Sequence, residues 1–430
     1  MAFVAIDLGA SGTRYTSDDG NIQIMPNNVA FMEIGKQSLV NPDAPDIESS
    51  LEVTIEKTSG ETNEYLPVNV LMGIMAERST EFNERPSVME AKYKQPINYV
   101  SALVASALSR LKFGTPENFD LYLAVPPAQI TEARKVFSQK LVGGYNVVFP
   151  KYMNGTTVTL NIESVHVYEE SYMASTSFFF NMNGTIKESS KEYMKGTVLS
   201  LDIGASTSDL SVTKGGRFLD KSGQTFNYGG NEARGAMTDA VRSAYNIELS
   251  TEDANKTMAE GRIQMGNTYE DIPDIISESK QALAKKLATH MQTYFGKIGI
   301  PVQTVNAIVV SGGGSMQSQY VNGDGEVVKT SEPMSYFVTK ELTKWSKGTV
   351  VVQYGDDARL ANVKGLYIRA KVDSIKKAQD AAQKAPVQPV QQAQPVQTVV
   401  TPQVQPVQTV VTPVQPVQST VVPQVQVALR

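Results

Sequence analysis

Two short stretches place an aspartate at the end of an apolar run and follow it with a glycine and a small hydroxyl-bearing turn. They read VAIDLGASGTRY at 4–15 and VLSLDIGASTSDLSV at 198–212. Both contain D-[LI]-G-A-S, and Asp7 and Asp202 stand a domain's length apart. That spacing is too long for a solenoid unit and suits a single duplication of a whole domain. A glycine-rich turn exposes backbone N–H groups that phosphate oxygens can approach closely. An aspartate there would repel a bare phosphate, but it fits a hydrated magnesium ion that neutralises the anion. Two such turns facing each other would clamp a polyphosphate from both sides. A third turn, IVVSGGGS at 308–315, also follows an apolar strand, and Gly312, Gly313 and Gly314 allow close approach to a flat ring or a sugar. Neither G-x-G-x-x-G nor G-x-x-x-x-G-K-[ST] occurs at these turns, which weakens the Rossmann and P-loop readings. A single D-x-G turn reads as an ordinary tight hairpin. Two copies followed by a triple glycine are harder to explain that way.

These turns need strands and helices to hold them. The helix-period stretch NYVSALVASALSRLKFG carries Val100, Leu103, Val104, Ala107, Leu108 and Leu111 on one face. FDLYLAVPPAQ then reads as a buried strand stopped by Pro126 and Pro127. DIISESKQALAKKLATHMQTYFGKIG is a long amphipathic helix, with Ile276, Leu283, Leu287, Tyr294 and Ile298 at compatible spacing, and it leads into the strand VNAIVV. MSYFVTKELTKW reads as a further helix with Met334, Phe337, Val338, Leu342 and Trp345 inward. Strands alternating with helices indicate an α/β architecture. Residues 20–95 are less regular and are expected to form a small inserted subdomain. From about Lys384 the chain turns to Pro, Val, Gln and Thr, and QPVQTVVTP recurs at 394–402 and 405–413. Such a tail is expected to be extended or disordered, acting as a spacer or as a multivalent docking segment.

Composition narrows the classes. The 430 residues are 41% hydrophobic and 19% charged, with a net charge of −5. This is ordinary for globular domains and argues against direct nucleic-acid binding over a broad surface. The absence of cysteine rules out disulfides and thiolate metal sites, and His166 and His290 alone make a histidine-rich metal site implausible. The N-terminus enters a strand directly, without signal-peptide regions, and no run reaches the ~18 apolar residues of a membrane span. A cytoplasmic protein with no membrane partner is expected.

The motifs together carry a resemblance. AIDLGASGTRY is similar to the first phosphate motif of the actin, Hsp70 and sugar-kinase ATPase superfamily, and LSLDIGASTSDLSV to the second. VYEESYMAS at 167–175 resembles the first connecting segment, AIVVSGGGS the adenosine motif, and DDARLANVKGLYI at 356–368 the second connecting helix. All five follow the family's order, and the layout is most similar to bacterial actin-like proteins of the ParM type, which segregate plasmids. The resemblance implies an actin-like fold of two RNase H-like domains around a nucleotide cleft, each with a small subdomain. The first domain would span 1–185, with an insertion at about 20–95, and the second 195–335. Helices at 336–378 would return to the first domain, and 379–430 would be the disordered tail.

The resemblance further implies ATP or GTP with Mg2+ as cofactors. Asp7 and Asp202 would flank the metal through water, and Glu170, or its neighbour Glu169, would align the attacking water. Gly9, Ser11, Gly12 and Thr13 would meet phosphates from the first turn, and Gly204, Ala205, Ser206 and Thr207 from the second. Asp209 would orient that second turn. Gly312, Gly313, Gly314 and Ser315 would receive the adenosine, with Gly229, Gly230 and Asn231 beside it, although Asn231 also suits a helix N-cap. The implied activity is an ATPase that self-assembles into filaments and moves plasmid or phage DNA through a DNA-binding adaptor, with the tail linking filaments or binding a partner. The alternatives are a small-molecule kinase of the same superfamily and a nucleotide-binding scaffold without turnover.

Overall fold

The structure is a computed structural model describing residues 2–10, 12–33, 50–73, 75–76, 79, 83–87, 90–113, 118–150, 155–346, 348–355 and 357–384. The Pro/Gln/Val-rich tail and Ser11 lie outside these residues.

The chain starts with a hairpin of β1 (Phe3–Gly9) and β2 (Gly12–Ser17), flanked by β3 (Gln23–Met25). Four strands follow: β4 (Val29–Met32), β5 (Ser50–Lys57), β6 (Val68–Gly73) and β7 (Asn83–Glu84). Helix α1 (Pro96–Phe113) leads to β8 (Asn118–Val125), and α2 (Ile130–Leu141) to β9 (Gly143–Phe149) and β10 (Thr156–Glu169). All ten strands join one sheet in the order β3-β2-β1-β8-β10-β9-β5-β6-β4-β7. Among the described residues, the strands between 20 and 95 all join this sheet. The long β10 makes this possible, because its second half runs parallel to β8 while its first half pairs with β9, onto which β5 adds.

After α3 (Glu170–Phe179) the pattern returns. A hairpin of β11 (Thr197–Ile203) and β12 (Ser208–Lys214) carries the short β13 (Arg217–Phe218) and β14 (Gln224–Phe226). Then come α4 (Gly230–Tyr245), α5 (Thr251–Glu260), a hairpin of β15 (Arg262–Met265) and β16 (Thr268–Asp271), and the 26-residue α6 (Pro273–Ile298). The chain closes with β17 (Val305–Ser311), a hairpin of β18 (Ser318–Val321) and β19 (Val327–Ser331), α7 (Met334–Leu342), β20 (Val350–Gln353) and α8 (Ala361–Lys384). The second sheet runs β13-β12-β11-β17-β20, with β17 parallel to β11 and to β20. Both sheets thus extend an antiparallel hairpin by two parallel strands.

Central parallel strands covered on both faces must be apolar throughout, which accounts for FVAI, LYLAV and AIVV. In the first sheet one face packs on α1 and α2 through residues such as Leu103 and Phe137, and the other on α3 and α8 through Met173 and Leu366. In the second sheet α6 and α7 cover one face, while α3 and the start of α8 cover the other. Helices α3 and α8 therefore belong to both lobes. They approach backbone to backbone at Gly365, where a Cβ would stand 2.0 Å from the Met173 carbonyl oxygen. Trp345 lies past the end of α7, half-buried against the second core rather than within the helix.

Candidate functional site

The two D-G turns are the tips of the two hairpins. In the first, Asp7 on β1 stands opposite Arg14 on β2, with Arg14 Nη1 3.7 Å from Asp7 Oδ2. The same guanidinium donates to the Gly12 carbonyl at 3.0 Å, and Asn27 donates to the Gly9 carbonyl at 2.8 Å. A Cβ on Gly9 would stand 2.9 Å from the Gly12 carbonyl oxygen, closer than real Cβ atoms approach backbone. Thr13 pairs with Leu8 and is fully buried. Strand alternation puts its side chain on the face opposite Asp7, so any phosphate contact from Thr13 would have to come from its backbone.

In the second hairpin Asp202 stands opposite Asp209. Both are buried. Asp202 accepts from Ser311 at 3.2 Å and from Asn362 Nδ2 at 2.9 Å. Burial raises its carboxyl above the ordinary value, aided by the charge of Asp7. Asp209 is pushed up further, first by burial and then by Glu170, and its Oδ1 has no hydrogen-bond partner.

Glu170 opens α3 directly after β10, so its carboxyl reaches the ends of both hairpins. Lys92 Nζ donates to Glu170 Oε1 and, at 2.6 Å, to the Leu8 carbonyl. Burial pushes Glu170 up to about 7, with Lys92 pulling it down and Asp7 and Asp202 adding to the rise. Burial works against the charge on Lys92, but Glu170 and Asp7 outweigh it and raise its pKa. Glu169 points elsewhere. It also rises to about 7 through burial, but its charged neighbours are Arg134 and Asp220, and its Oε2 lies unpaired against Gly223 and Pro127. Of the two adjacent glutamates, only Glu170 joins the carboxylate group.

The remaining turns pack around the second hairpin. The N–H of Gly230 donates to the Gly204 carbonyl at 2.9 Å, and that of Asn231 to the Ala205 carbonyl at 2.6 Å. Gly204 closes its own turn by donating to the Thr207 carbonyl at 2.9 Å. Gly229 is the residue that caps α4, so Asn231 is not the N-cap, and its side chain instead donates to Ser206 Oγ at 3.0 Å. A glycine can occupy the cap position because it adopts the non-helical backbone at no steric cost. Gly312 has φ +85°, and a Cβ there would stand 2.4 Å from the Ile203 carbonyl oxygen, so this position requires glycine. Gly314 lies against Gly204 and Gly230. Ser315 turns inward, donating to the Gly312 carbonyl at 2.7 Å and accepting from Gln353.

Several contributors were not singled out from sequence. Lys92 sits in the irregular stretch before α1, with nothing local to separate it from other lysines. Arg359 lies over Gly313 and donates to both oxygens of Asp357. Asn362 does carry a signal, because it is the asparagine of A-N-x-x-G.

Four buried carboxylates (Asp7, Glu170, Asp202 and Asp209) thus meet two cations, Arg14 and Lys92. Among the described residues no three His, Cys, Asp or Glu side chains converge as direct metal ligands. The excess of buried carboxylates over cations fits a divalent cation nearby, which Asp7 and Asp202 would hold through its water shell. Among the same residues no helix is long and apolar enough to cross a membrane.

Comparison with known proteins agrees with this geometry. The domain family "Actin like proteins N terminal domain" matches residues 5–172, and "Archaeal actin homologue MreB-like, C-terminal" matches 200–319. No curated protein sequence matches the chain. Among solved structures, the actin-like protein Alp7A is 18% identical with a TM-score of 0.64, covering 89% of this chain and 98% of its own. ParM of Bacillus thuringiensis with ATP is 16% identical with a TM-score of 0.59, covering 87% and 99%. ParM from a 15-stranded filament of Clostridium botulinum is 17% identical with a TM-score of 0.58, covering 86% and 99%. The chain thus has an actin-like fold, its first part matching the N-terminal domain of actin-like proteins and its second the C-terminal domain of an archaeal actin homologue.

Proposed function

We propose that this protein is a nucleotide-driven filament former in which Mg-ATP joins the two lobes and hydrolysis weakens the assembly. The observation that carries the reading is the excess of buried carboxylates over cations between two glycine turns. That excess suits a metal-bound polyphosphate and disfavours an uncomplexed anion. Bound magnesium would neutralise the phosphates, and Asp7 and Asp202 would hold it through water. The backbones of Gly9, Gly12 and Thr13, with Ser11, would face the phosphates from one lobe, and those of Gly204 to Thr207 from the other. Gly312 to Gly314, Gly230 and Arg359 would border the adenosine. GTP remains the alternative nucleotide.

Glu170 suits alignment of the attacking water. A carboxyl raised to about 7 can accept a proton near neutral pH. Lys92 would hold it in place, and Asp209 faces it from the other lobe. The solved relatives include an ATP-bound ParM and a ParM filament, which supports reading this cleft as the switch of a polymer. Closure about α3 and α8 would couple the bound nucleotide to subunit contacts. An adaptor would then attach the filament to plasmid or phage DNA.

The test is light scattering with negative-stain imaging after Mg-ATP is added to wild type and to Glu170→Ala. Filaments are expected from both, with phosphate release about 10²–10⁴-fold slower in the variant and disassembly slowed with it. Failure of the wild type to assemble over a range of salt and protein concentration overturns the reading.

A further inference from the structure

Helix α6 carries an apolar surface feature at each end. At its C-terminal end a hollow of about 570 Å³ is lined by Phe295, Ile300, Pro301, Val302 and Trp345, with no charged side chain among its described lining residues. Near its N-terminal end the buried Lys280 grips both roots of the β18–β19 hairpin. Its Nζ donates to the Met316 carbonyl, the Ser318 hydroxyl and the Glu332 carbonyl, each at 3.0 Å. Arg262 braces the hairpin from the side, with its guanidinium 4.2 Å from the Tyr269 ring and 3.9 Å from that of Tyr320. The hairpin is therefore a stiff projection. At its outer end Val321 and Val327 pair directly across the strands and are 61% and 62% exposed, the two most exposed large hydrophobic side chains among the described residues. Single exposed valines are unremarkable, whereas these two stand together at the tip of a braced hairpin. The turn beyond them bears Asp324 and Glu326, whereas Lys297 is exposed beside the hollow.

We propose that the Val321–Val327 tip of one copy of this chain seats in the Phe295–Trp345 hollow of the next, with its acidic turn toward Lys297. The proposal rests on the filament reading and names the surfaces that would build the filament. Lys280, which holds the hairpin's roots, and Phe295, which lines the hollow, stand 15 residues apart on α6, ~22 Å at 1.5 Å per residue, so the two features are separated along one rigid element. Each copy offers one of each, which makes the contact heterologous and able to repeat without closing. Lys280 serves this contact by fixing the direction of the hairpin relative to the helix.

The experiment is sedimentation with Mg-ATP of Val321→Glu, Val327→Glu and the hollow variant Ile300→Glu, with fluorescent-ATP binding and thermal melting as checks on the fold. Nucleotide binding as in wild type and a critical concentration at least ~10-fold higher, about 1.4 kcal/mol of lost contact, are expected for all three. Asp324→Lys should weaken assembly, and adding Lys297→Glu should restore it. Wild-type critical concentration in both valine variants overturns the proposal and leaves the filament reading standing. If wild type binds nucleotide but never assembles, the proposal falls together with that reading.

Discussion

The two hairpins occupy equivalent places in the two sheets, yet the residue facing the aspartate differs in sign. Asp7 faces Arg14, whereas Asp202 faces Asp209. The first hairpin carries its own counter-charge. The second places two buried carboxylates side by side, an arrangement that destabilises adjacent strands. Its compensation comes from outside the hairpin: Ser311 and Asn362 solvate Asp202, and Lys92 approaches from the first lobe. One hairpin thus carries its own counter-charge and the other does not, and the latter sits in the lobe that also holds the glycine loop at 312–314. In the proposed function, closing the lobes would bring Lys92 and a metal-bound nucleotide to the hairpin that lacks positive charge. Affinity for that nucleotide and lobe closure would then be a single equilibrium.

Removing one charge from each hairpin should have opposite effects. Arg14→Met leaves Asp7 buried without its cation, and a loss of about 3–5 kcal/mol in urea unfolding is expected. Asp209→Asn removes a repelled carboxylate, so the nucleotide-free protein should gain about 1–4 kcal/mol at pH 8. The sign follows from linkage. Asp209 binds its proton more tightly folded than unfolded, so its contribution is most favourable below about 3.8 and is lost as pH rises through the raised value. The same variant should need more magnesium, about tenfold, for half-maximal ATP hydrolysis. Destabilisation by both variants would mean that the hairpins are electrostatically equivalent and would remove the comparison.

How much of this was legible depends on how local each signal is. The hairpins announce themselves through apolar runs ending in D-x-G, and α1, α6 and the triple-glycine turn through periodicity and composition, because these features act on neighbours in the chain. The opposition of Asp7 to Arg14 follows only once the register is known, since a shift of one residue exchanges faces. The register likewise puts the Thr13 side chain on the face of Leu8, which leaves its backbone for the expected phosphate contact. Lys92 meets Glu170 across 78 residues, a contact that folding alone creates. Strand β5 does alternate, with Leu51, Val53 and Ile55 apolar, and only β4 and β7 are short; what no local pattern shows is that these strands merge into the first sheet through β9. Asn231 misled because N-capping is the common role of an asparagine before a helix, and here Gly229 takes it.

The smallest effect tests whether the pH response belongs to the hairpins at all. Glu169 is buried and raised to about 7 from 4.5, but it lies against Gly223 and Pro127, away from the carboxylate group. Its folded form takes up the proton first, so its stability contribution is greatest below about 4.5 and falls away as pH rises through about 7. Glu169→Gln should flatten that decline. The gain at pH 8 should be only about 1 kcal/mol, because the amide is left without a partner in the same enclosed place. Thermal melting from pH 5 to 8, with and without Mg-ATP, separates the two sites. The benefit of Glu169→Gln should survive saturation with nucleotide, since no phosphate or metal would reach Gly223. The benefit of Asp209→Asn should disappear or reverse, because the bound cation supplies what the substitution had made unnecessary. If both benefits vanish together when nucleotide binds, Glu169 is coupled to closure, and the charge imbalance extends beyond the second hairpin.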